Sequence, residues 1–202
     1  MSDVLEKWAA GDVYEQYMGR WSRAVAPKFL QMLNAAPGLS WLDVGCGTGV
    51  LTQAIAQTAQ PGYLAGLDAS VDFAEYARFQ QAATHFLTAD GRALALRDES
   101  FDLVVSALAL NFIPEPEKAV REMRRVVRPG GLVAAYVWDY AGKMEFLRHF
   151  WDAAVAANPA AAPLHEGSRF PICAPDALRT LWQDAALKRV AVASIEIPTV
   201  FA

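Results

Sequence analysis

The sequence contains few of the features that mark secreted, metal-stapled or nucleic-acid-binding proteins. Its 202 residues include only two cysteines, Cys46 and Cys173, which form no CxxC pair. A disulfide framework or a structural zinc site is therefore not expected, and we predict no metal. The formal net charge is −4, so no basic field indicates a nucleic-acid partner. The arginines between 121 and 128 lie on a segment with helical apolar spacing, which is typical of a solvated helix face.

Long apolar segments are also missing. The longest apolar run, residues 103–113, is too short to cross a bilayer, so no membrane span is expected. The first twelve residues carry charges throughout and contain no apolar stretch of the kind found in secretory signals. With 54% apolar and 20% charged residues, the composition is that of a globular protein. We expect one domain, residues 1–202, in the cytoplasm.

From residue 41 onward, short apolar segments alternate with helical patterns. The apolar segments do not alternate with polar residues, which is typical of parallel strands covered on both faces. The sequence therefore predicts an α/β fold, a Rossmann-like, doubly wound and mostly parallel sheet with helices on both faces. Within it we expect a helical cap (1–36), a cofactor-binding core (40–138) and substrate-side helices with a late strand (139–202). The predicted strands are Trp41–Val44, Tyr63–Leu67, His85–Thr88, Phe101–Ser106, Leu132–Val137 and Leu187–Val200.

The stretch WLDVGCGTG, residues 41–49, ends the first strand in a loop with three glycines. In such sheets ligands bind beyond the carboxyl ends of the strands, and glycines there let a ligand approach the backbone. The dinucleotide pattern GxGxxG needs a small residue where Val50 stands. Asp43 would also repel a pyrophosphate. The pattern favours a nucleoside that bears an amino acid, and a nicotinamide-dependent oxidoreductase is the rival class.

Two further acidic residues follow the next two strands. Asp68 ends the second strand, where a carboxylate can accept both ribose hydroxyl hydrogens of an adenosine. Its alternative role is an Asx turn before a helix capped by Ser70. Asp90 follows the third strand, and we expect it to accept a hydrogen bond from the adenine amine. A plain turn over Ala89–Gly91 is the competing interpretation.

Four motifs in order, LDVGCGTG (42–49), GLDAS (66–70), TADGRALAL (88–96) and the segment 99–131 ending in RPGG, resemble the class I S-adenosylmethionine-dependent methyltransferases. The similarity is to the small-molecule branch, including quinone-ring C-methyltransferases. It implies S-adenosyl-L-methionine as the cofactor. The glycine loop would line the methionine end of the cofactor, and Asp68 would hold the ribose. Ala69, Asp90 and Gly91 would lie beside the adenine. Two backbone carbonyls at the end of the fourth strand would accept hydrogen bonds from the methionine amine. The implied cofactor-binding set is Asp43, Gly45, Cys46, Gly47, Gly49, Asp68, Ala69, Asp90, Gly91, Ser106, Ala107 and, on the first helix, Tyr17.

The resemblance implies in-line transfer of a methyl group to a small-molecule acceptor. Aromatic residues concentrate between 138 and 172, which suggests an apolar or aromatic acceptor. No general base is assigned. His149 has a structural interpretation as a partly buried residue of a helix. His165, in the loop HEGSRFP, could face a substrate, and Asp139 follows the fifth strand at the functional edge of the sheet. A protein that binds the cofactor without turnover is a further alternative. The family's sheet has seven strands, and because this chain stops at Ala202 we expect the final antiparallel strand to be lacking.

Overall fold

A computed structural model describes residues 18–80 and 84–199, which form a parallel sheet flanked by helices. The sheet has five strands in the order β3-β2-β1-β4-β5, and every pair is parallel. The reversal of strand order beside β1 is the point at which such sheets bind ligands. The strands are β1 Ser40–Val44, β2 Tyr63–Asp68, β3 His85–Thr88, β4 Phe101–Ala107 and β5 Val127–Tyr136.

The helices connect the strands and cover both faces of the sheet. Pro116 occupies a first-turn position of the helix between β4 and β5, where its missing N–H is not needed. Ser70 caps the helix after β2, since its Oγ accepts a hydrogen bond from Phe73 N at 3.3 Å. The α-helices are α1 Arg20–Leu33, α2 Val50–Thr58, α3 Val71–Gln80, α4 Pro116–Val126, α5 Glu145–Ala157, α6 Glu166–Arg169 and α7 Pro175–Asp184, with short 3-10 turns at Leu110–Phe112, Pro159–Leu164 and Pro171–Cys173.

Two apolar clusters, one on each face, hold the sheet between the helices. Successive strand residues point to opposite faces, so Trp41 and Leu42 are both fully buried but in different clusters. Leu42 packs with the α4 residues Val120 and Met123, whereas Trp41 packs with Phe29 of α1 and with α2. This double coverage explains the unalternating apolar strands. Because β1 is central and buried, its carboxyl end is a rigid platform.

The Arg-Pro-Gly-Gly sequence, residues 128–131, comes directly after α4, which ends at Val126, and lies inside the first half of β5. Phe101 of β4 pairs with Val127, but Leu103 pairs with Leu132, so residues 128–131 bulge out of the ladder. Gly130 has φ +81°, a value that favours glycine. The strand therefore begins five residues earlier than predicted, while its paired half matches the expectation.

The late strand expected over Leu187–Val200 does not form in residues 187–199. This segment pairs with no strand and is held by side chains instead: Lys28 Nζ donates to Glu196 O at 2.7 Å and Arg179 Nη1 to Val190 O at 3.4 Å. This segment and β5 both line a groove of about 1640 Å³, and no backbone hydrogen bond joins the two among the described residues. The Trp182 indole also occupies one edge carbonyl, Val133 O, at 3.3 Å. No antiparallel strand joins the sheet among the described residues.

None of the helices within residues 18–80 and 84–199 combines the length and apolar character that a membrane span requires.

Candidate functional site

The glycine loop after β1 adopts a conformation that other residues rarely tolerate. Gly45, Gly47 and Gly49 have φ values of +72°, +53° and +87°. A side chain at position 45 would collide with the Cβ of Ala109, whereas a Cβ at position 47 would meet nothing within 4 Å. At Gly45 the glycine loop packs against Ala109 in the segment after β4, residues 108–113, which we call the β4 loop. At Gly47 the glycine loop is open. Space beside a bare backbone is what a bound ligand requires.

Most of the loop's N–H groups are already hydrogen-bonded within the protein. Gly45 N and Cys46 N both donate to Leu67 O, at 2.8 and 2.9 Å, and Gly47 N donates to Asp68 Oδ2 at 2.9 Å. Gly49 N donates to Cys46 O at 2.9 Å. A pyrophosphate is normally held by free N–H groups of such a loop. These four donors cannot serve that purpose without breaking existing bonds.

Asp43 is a fully buried carboxylate beneath this loop. Its Oδ2 accepts a hydrogen bond from Thr52 Oγ1 at 2.7 Å, and its Oδ1 has no partner. Burial raises the pKa of Asp43 to about 7, despite the Thr52 hydrogen bond, and the charge of Asp68 contributes to the rise. An unpartnered buried oxygen is costly unless a ligand or partner satisfies it. Oδ1 is therefore poised to meet a hydrogen-bond donor or a positive charge.

Thr52, which the sequence did not single out, belongs to the candidate site through its hydrogen bond to Asp43. It lies in the first turn of α2 and, like Leu51 and Ile55 of the same helix, it is fully buried. A threonine on an apolar helix face, nine positions after a strand aspartate, was the available signal.

Asp68 forms the Asx turn that the sequence suggested and also contacts the glycine loop. Its Oδ1 accepts from Ser70 N at 2.8 Å, which is the Asx turn, and its Oδ2 accepts from Gly47 N, which ties it to the loop. Burial raises the pKa of Asp68, and these backbone hydrogen bonds oppose the rise. Among the described residues, no lysine or arginine forms an ion pair with Asp43 or Asp68. The two carboxylates thus concentrate negative charge at one end of the sheet.

The turn after β3 lies beside Asp68. Ala89 N donates to Asp68 O at 2.9 Å, and a Cβ at Gly91 would come within 3.3 Å of Val44 and 3.4 Å of Ile113. Asp90 itself is held by Arg92, whose guanidinium contacts both carboxylate oxygens. Ala69, between Asp68 and Ser70, is exposed at the same edge.

The carboxyl end of β4 and the β4 loop lie on the other side of the site. Ser106 is fully buried, and its Oγ has no hydrogen-bond partner. Ala107 is half-buried, and Leu108 adopts φ +55°, with its N–H donating to Tyr136 O at 2.9 Å. This left-handed residue turns the chain so that Ala109 contacts Gly45. A strained residue at such a point is typical of a functional loop.

Two residues of the implied set stand apart from these. The Cys46 side chain packs with Ala77 and Phe86, so only its backbone belongs to the loop. Both thiols, Cys46 and Cys173, are buried and free. Tyr17, like Tyr14, lies outside the described residues.

Two of the three residues considered as bases, His165 and Asp139, have structural partners, whereas His149 is exposed and not partly buried as expected. His165 caps α6, because its Nδ1 accepts from Gly167 N at 3.0 Å, and its Nε2 lies 3.6 Å from Asp152 Oδ1. Asp139 accepts from Gly142 N and Lys143 N, both at 3.0 Å, and so holds the turn after β5. His149 is on the exposed face of α5.

An aromatic group connects the β4 loop with the helices after β5. Phe112 meets Phe170 edge-on with ring centroids 5.1 Å apart, and Tyr140 lies 5.5 Å from Phe170. Phe112 is 42% exposed, whereas Tyr140 is buried. Phe112 therefore offers an accessible ring in the 3-10 turn that follows β4.

A parallel 3-2-1-4-5 sheet with a glycine loop after β1 and acidic residues after β1, β2 and β3 defines a Rossmann-like nucleoside-binding protein. Residues 42–135 match the family described as a methyltransferase domain. This match supports the resemblance to the class I S-adenosylmethionine-dependent methyltransferases that the motifs predicted.

Curated relatives support the assignment over part of their length. The chain is 35% identical over 144 residues to a malonyl-[acyl-carrier protein] O-methyltransferase of Salmonella typhimurium, covering 71% of this chain and 56% of that protein. It is 34% identical over 131 residues to a demethylmenaquinone methyltransferase of Desulfitobacterium hafniense, covering 61% of this chain and 52% of the relative. The chain thus spans about half the length of these curated relatives.

Among solved structures, one match comes from the complex between the Haloferax volcanii Trm112 methyltransferase activator and a putative methyltransferase. The TM-score is 0.67 at 23% identity, and the alignment covers 98% of this chain and 85% of that one. At this identity the match bears on the fold alone.

Proposed function

We propose that this protein binds S-adenosylmethionine and transfers its methyl group to a small-molecule acceptor. The observation that carries the proposal is the pair of carboxylates, Asp43 and Asp68, at an open glycine loop. The cofactor presents an ammonium, a sulfonium and two ribose hydroxyls, which together match negative charge and unfilled acceptors. The residues present therefore fit this cofactor.

Each implied residue has a role consistent with its position. Asp43, with its unpartnered Oδ1, would face the positively charged methionine end, and the bare backbone at Gly47 would allow close approach. Asp68 would hold the ribose and Asp90 the adenine amine, with Ala69 and Gly91 beside the base. The backbone carbonyls of Ser106 and Ala107 would accept from the methionine amine.

The bound cofactor would supply an activated methyl group. The protein's own contribution is then to align the acceptor with the S–CH₃ bond and to exclude water. Positioning of this kind lowers a barrier by roughly 7–11 kcal/mol without a specialised catalytic side chain. The proposed reaction therefore does not depend on an assigned general base.

The rival classes are less well supported. A dinucleotide would need its pyrophosphate beside two carboxylates and four N–H groups that are already bonded, so an NAD-dependent oxidoreductase is not favoured. Formation of a methylated product distinguishes an enzyme from a protein that binds the cofactor without turnover. Incubation with methyl-labelled S-adenosylmethionine and a panel of acceptors would give labelled product only if methyl transfer occurs.

The test of the cofactor assignment is titration calorimetry with S-adenosylhomocysteine and with NAD. The wild type should bind the first and not the second. Asp68→Ala should weaken S-adenosylhomocysteine binding by about 10- to 100-fold, since hydrogen bonds to a charged group contribute about 1.5–3 kcal/mol each. Binding of NAD in preference to S-adenosylhomocysteine would refute the proposal.

We further propose an apolar or aromatic acceptor that lies against Phe112. The two curated relatives are named for different acceptors, malonyl-[acyl-carrier protein] and demethylmenaquinone, so the choice of acceptor is argued from the site itself. An exposed ring at the edge of the site can stack on a flat acceptor. The partner expected for this surface is therefore a small molecule.

Phe112→Ala should raise the KM for any acceptor found in the panel by about 5- to 20-fold, because about 1–2 kcal/mol of stacking would be lost. The dissociation constant of S-adenosylhomocysteine should stay unchanged. Phe79→Ala is the matched control, since Phe79 is 88% exposed on α3. An equal loss of acceptor and cofactor binding in Phe112→Ala would indicate a packing role instead.

A further inference from the structure

The inner face of α5 carries an arginine and a tryptophan. Met144, directly before α5, is buried in one cluster with Tyr140, and Arg148 N donates to Met144 O at 3.1 Å. Arg148 and Trp151 follow Met144 at i+4 and i+7, so both share the face of the helix that Met144 begins. Both are half-buried, whereas residues 149–150 between them are exposed. The face of α5 that packs inward therefore contains a cationic side chain.

Both side chains carry a buried hydrogen-bond donor without an acceptor. Arg148 Nε and Trp151 Nε1 are buried and find no hydrogen-bond partner in the part of the chain that the structure describes. Asp152, one turn after Arg148, lies 3.6 Å from His165 instead, and Glu166 Oε2 accepts from neither donor. Buried polar groups are normally paired, because burial without a partner is costly. Arg148 thus lacks the negatively charged partner that its burial calls for.

Aromatic contacts connect these donors with the proposed acceptor site. The Trp151 ring stacks on His165 with centroids 6.3 Å apart, and His165 caps α6, a single turn of four residues. Phe170, directly after α6, meets Phe112 edge-on at 5.1 Å. A Cβ at Gly167 in α6 would lie 3.2 Å from the backbone of the turn after β5, so α6 lies at the carboxyl edge of the sheet. One helical turn therefore joins the donors of α5 to the exposed ring of the β4 loop.

The chemistry of the two donors selects the class of group that can fill this place. A guanidinium and an indole N–H only donate hydrogen bonds, and the guanidinium is always charged. An ionised carboxylate only accepts, carries the opposite charge and offers one oxygen to each donor. A neutral amide of the same shape has one acceptor oxygen and would point its NH₂ group at a donor. The pair therefore favours a carboxylate over its amide.

We propose that Arg148 and Trp151 form an anion subsite that selects acceptors with a carboxylate group beside an apolar or aromatic body. The inference deepens the proposed function and rests on it, because it assumes an acceptor that lies against Phe112. Asp43 and Asp68 concentrate negative charge at the glycine loop, where the positively charged cofactor would bind. A cationic anchor on α5 would let the same site hold a negatively charged acceptor beside that cofactor.

The test uses four carboxylates as probes, benzoate, trans-cinnamate, 2-naphthoate and octanoate, each compared with its neutral amide. Calorimetric titration of the protein saturated with S-adenosylhomocysteine gives the two dissociation constants of each pair. The wild type should bind at least one acid about 10- to 100-fold more tightly than its amide, the range expected for charge-assisted hydrogen bonds. Arg148→Gln should bring this ratio close to one, and Arg148→Lys should give an intermediate value. Trp151→Phe keeps a ring beside His165 but removes the N–H, so it should reduce the ratio several-fold.

Arg97→Gln is the matched control, since Arg97 is an exposed arginine outside the site. It should keep the wild-type ratio and the wild-type affinity for S-adenosylhomocysteine. If Arg148 only supports the fold, Arg148→Gln should unfold at lower denaturant concentration with an unchanged ratio, and that result would overturn the inference. So would a wild type that binds S-adenosylhomocysteine but binds none of the acids more tightly than its amide. A wild type that does not bind S-adenosylhomocysteine would instead refute the proposed function.

Discussion

Asp43→Asn should make the ligand-free protein more stable at neutral pH and, in the same protein, weaken binding of S-adenosylmethionine by about 10- to 100-fold. The stability gain follows from burial: the carboxylate has no solvent exposure, and its pKa is raised from 3.8 to about 7. The binding loss follows from removal of a charge-assisted contact, which contributes about 1.5–3 kcal/mol. Asparagine keeps the shape of the side chain and an oxygen for Thr52.

The sign of the stability effect depends on pH. Between about pH 4 and pH 7 the unfolded chain releases the Asp43 proton while the folded chain retains it, so wild-type stability falls as pH rises. Above pH 7 the ionised Asp43 lowers the free energy of unfolding by its full amount, on the order of 4 kcal/mol for a rise in pKa from 3.8 to about 7. The advantage of Asp43→Asn should therefore be absent at pH 4 and largest above pH 7. Denaturant unfolding of both proteins across this range measures it.

Binding should show the complementary pH dependence. Because a positively charged ligand needs the ionised form of Asp43, wild-type affinity should fall as pH drops below 7, by up to about tenfold per unit. Asp43→Asn should lose this dependence, apart from what Asp68 contributes through its own raised pKa.

Thr52→Val provides a control that acts on the same group. The Thr52 hydrogen bond lowers the pKa of Asp43, so its removal should move the midpoint of the pH dependence upward. A wild-type protein whose stability and affinity are both flat between pH 5 and pH 8 would contradict this account of Asp43.

The order of elements in the fold could be predicted from the sequence because burial on both faces leaves a clear pattern. His85–Thr88 and the starts of β2 and β4 match the predicted bounds, since each strand is a short unalternating apolar run between turn residues. The three glycines could likewise be assigned to one loop. Their φ values give the physical reason for the residue type at each position.

Features that depend on distant partners could not be predicted in this way. The apolar residues around Val190–Ile197 are typical of a strand, but a strand needs a neighbouring backbone, and among the described residues this segment makes no backbone hydrogen bond to β5. The pairing of Arg92 with Asp90 and Glu115 depends on side-chain geometry that the sequence does not reveal. The contact of Thr52 with Asp43 depends on how α2 packs beside β1.

Gly47→Ala should leave the protein folded but weaken S-adenosylhomocysteine binding by about 100-fold, whereas Gly45→Ala should damage the fold itself. Both glycines have positive φ, so each substitution costs roughly 1–2 kcal/mol of backbone strain. At position 47 the new methyl group meets no protein atom within 4 Å and projects into the space proposed for the cofactor. At position 45 it collides with the Cβ of Ala109, which adds about 1–3 kcal/mol of overpacking.

Gly130→Ala is the matched control for this pair. Gly130 has φ +81° and open space around its Cβ, but it lies in the bulge at the amino end of β5, away from the carboxyl edge of the sheet. It should therefore lose about as much stability as Gly47→Ala and retain wild-type affinity. Denaturant unfolding and calorimetry on the three variants separate strain, collision and ligand exclusion. Equal affinities in Gly47→Ala and Gly130→Ala would mean that the ligand does not lie against Gly47, because strain of the same size would then account for every effect.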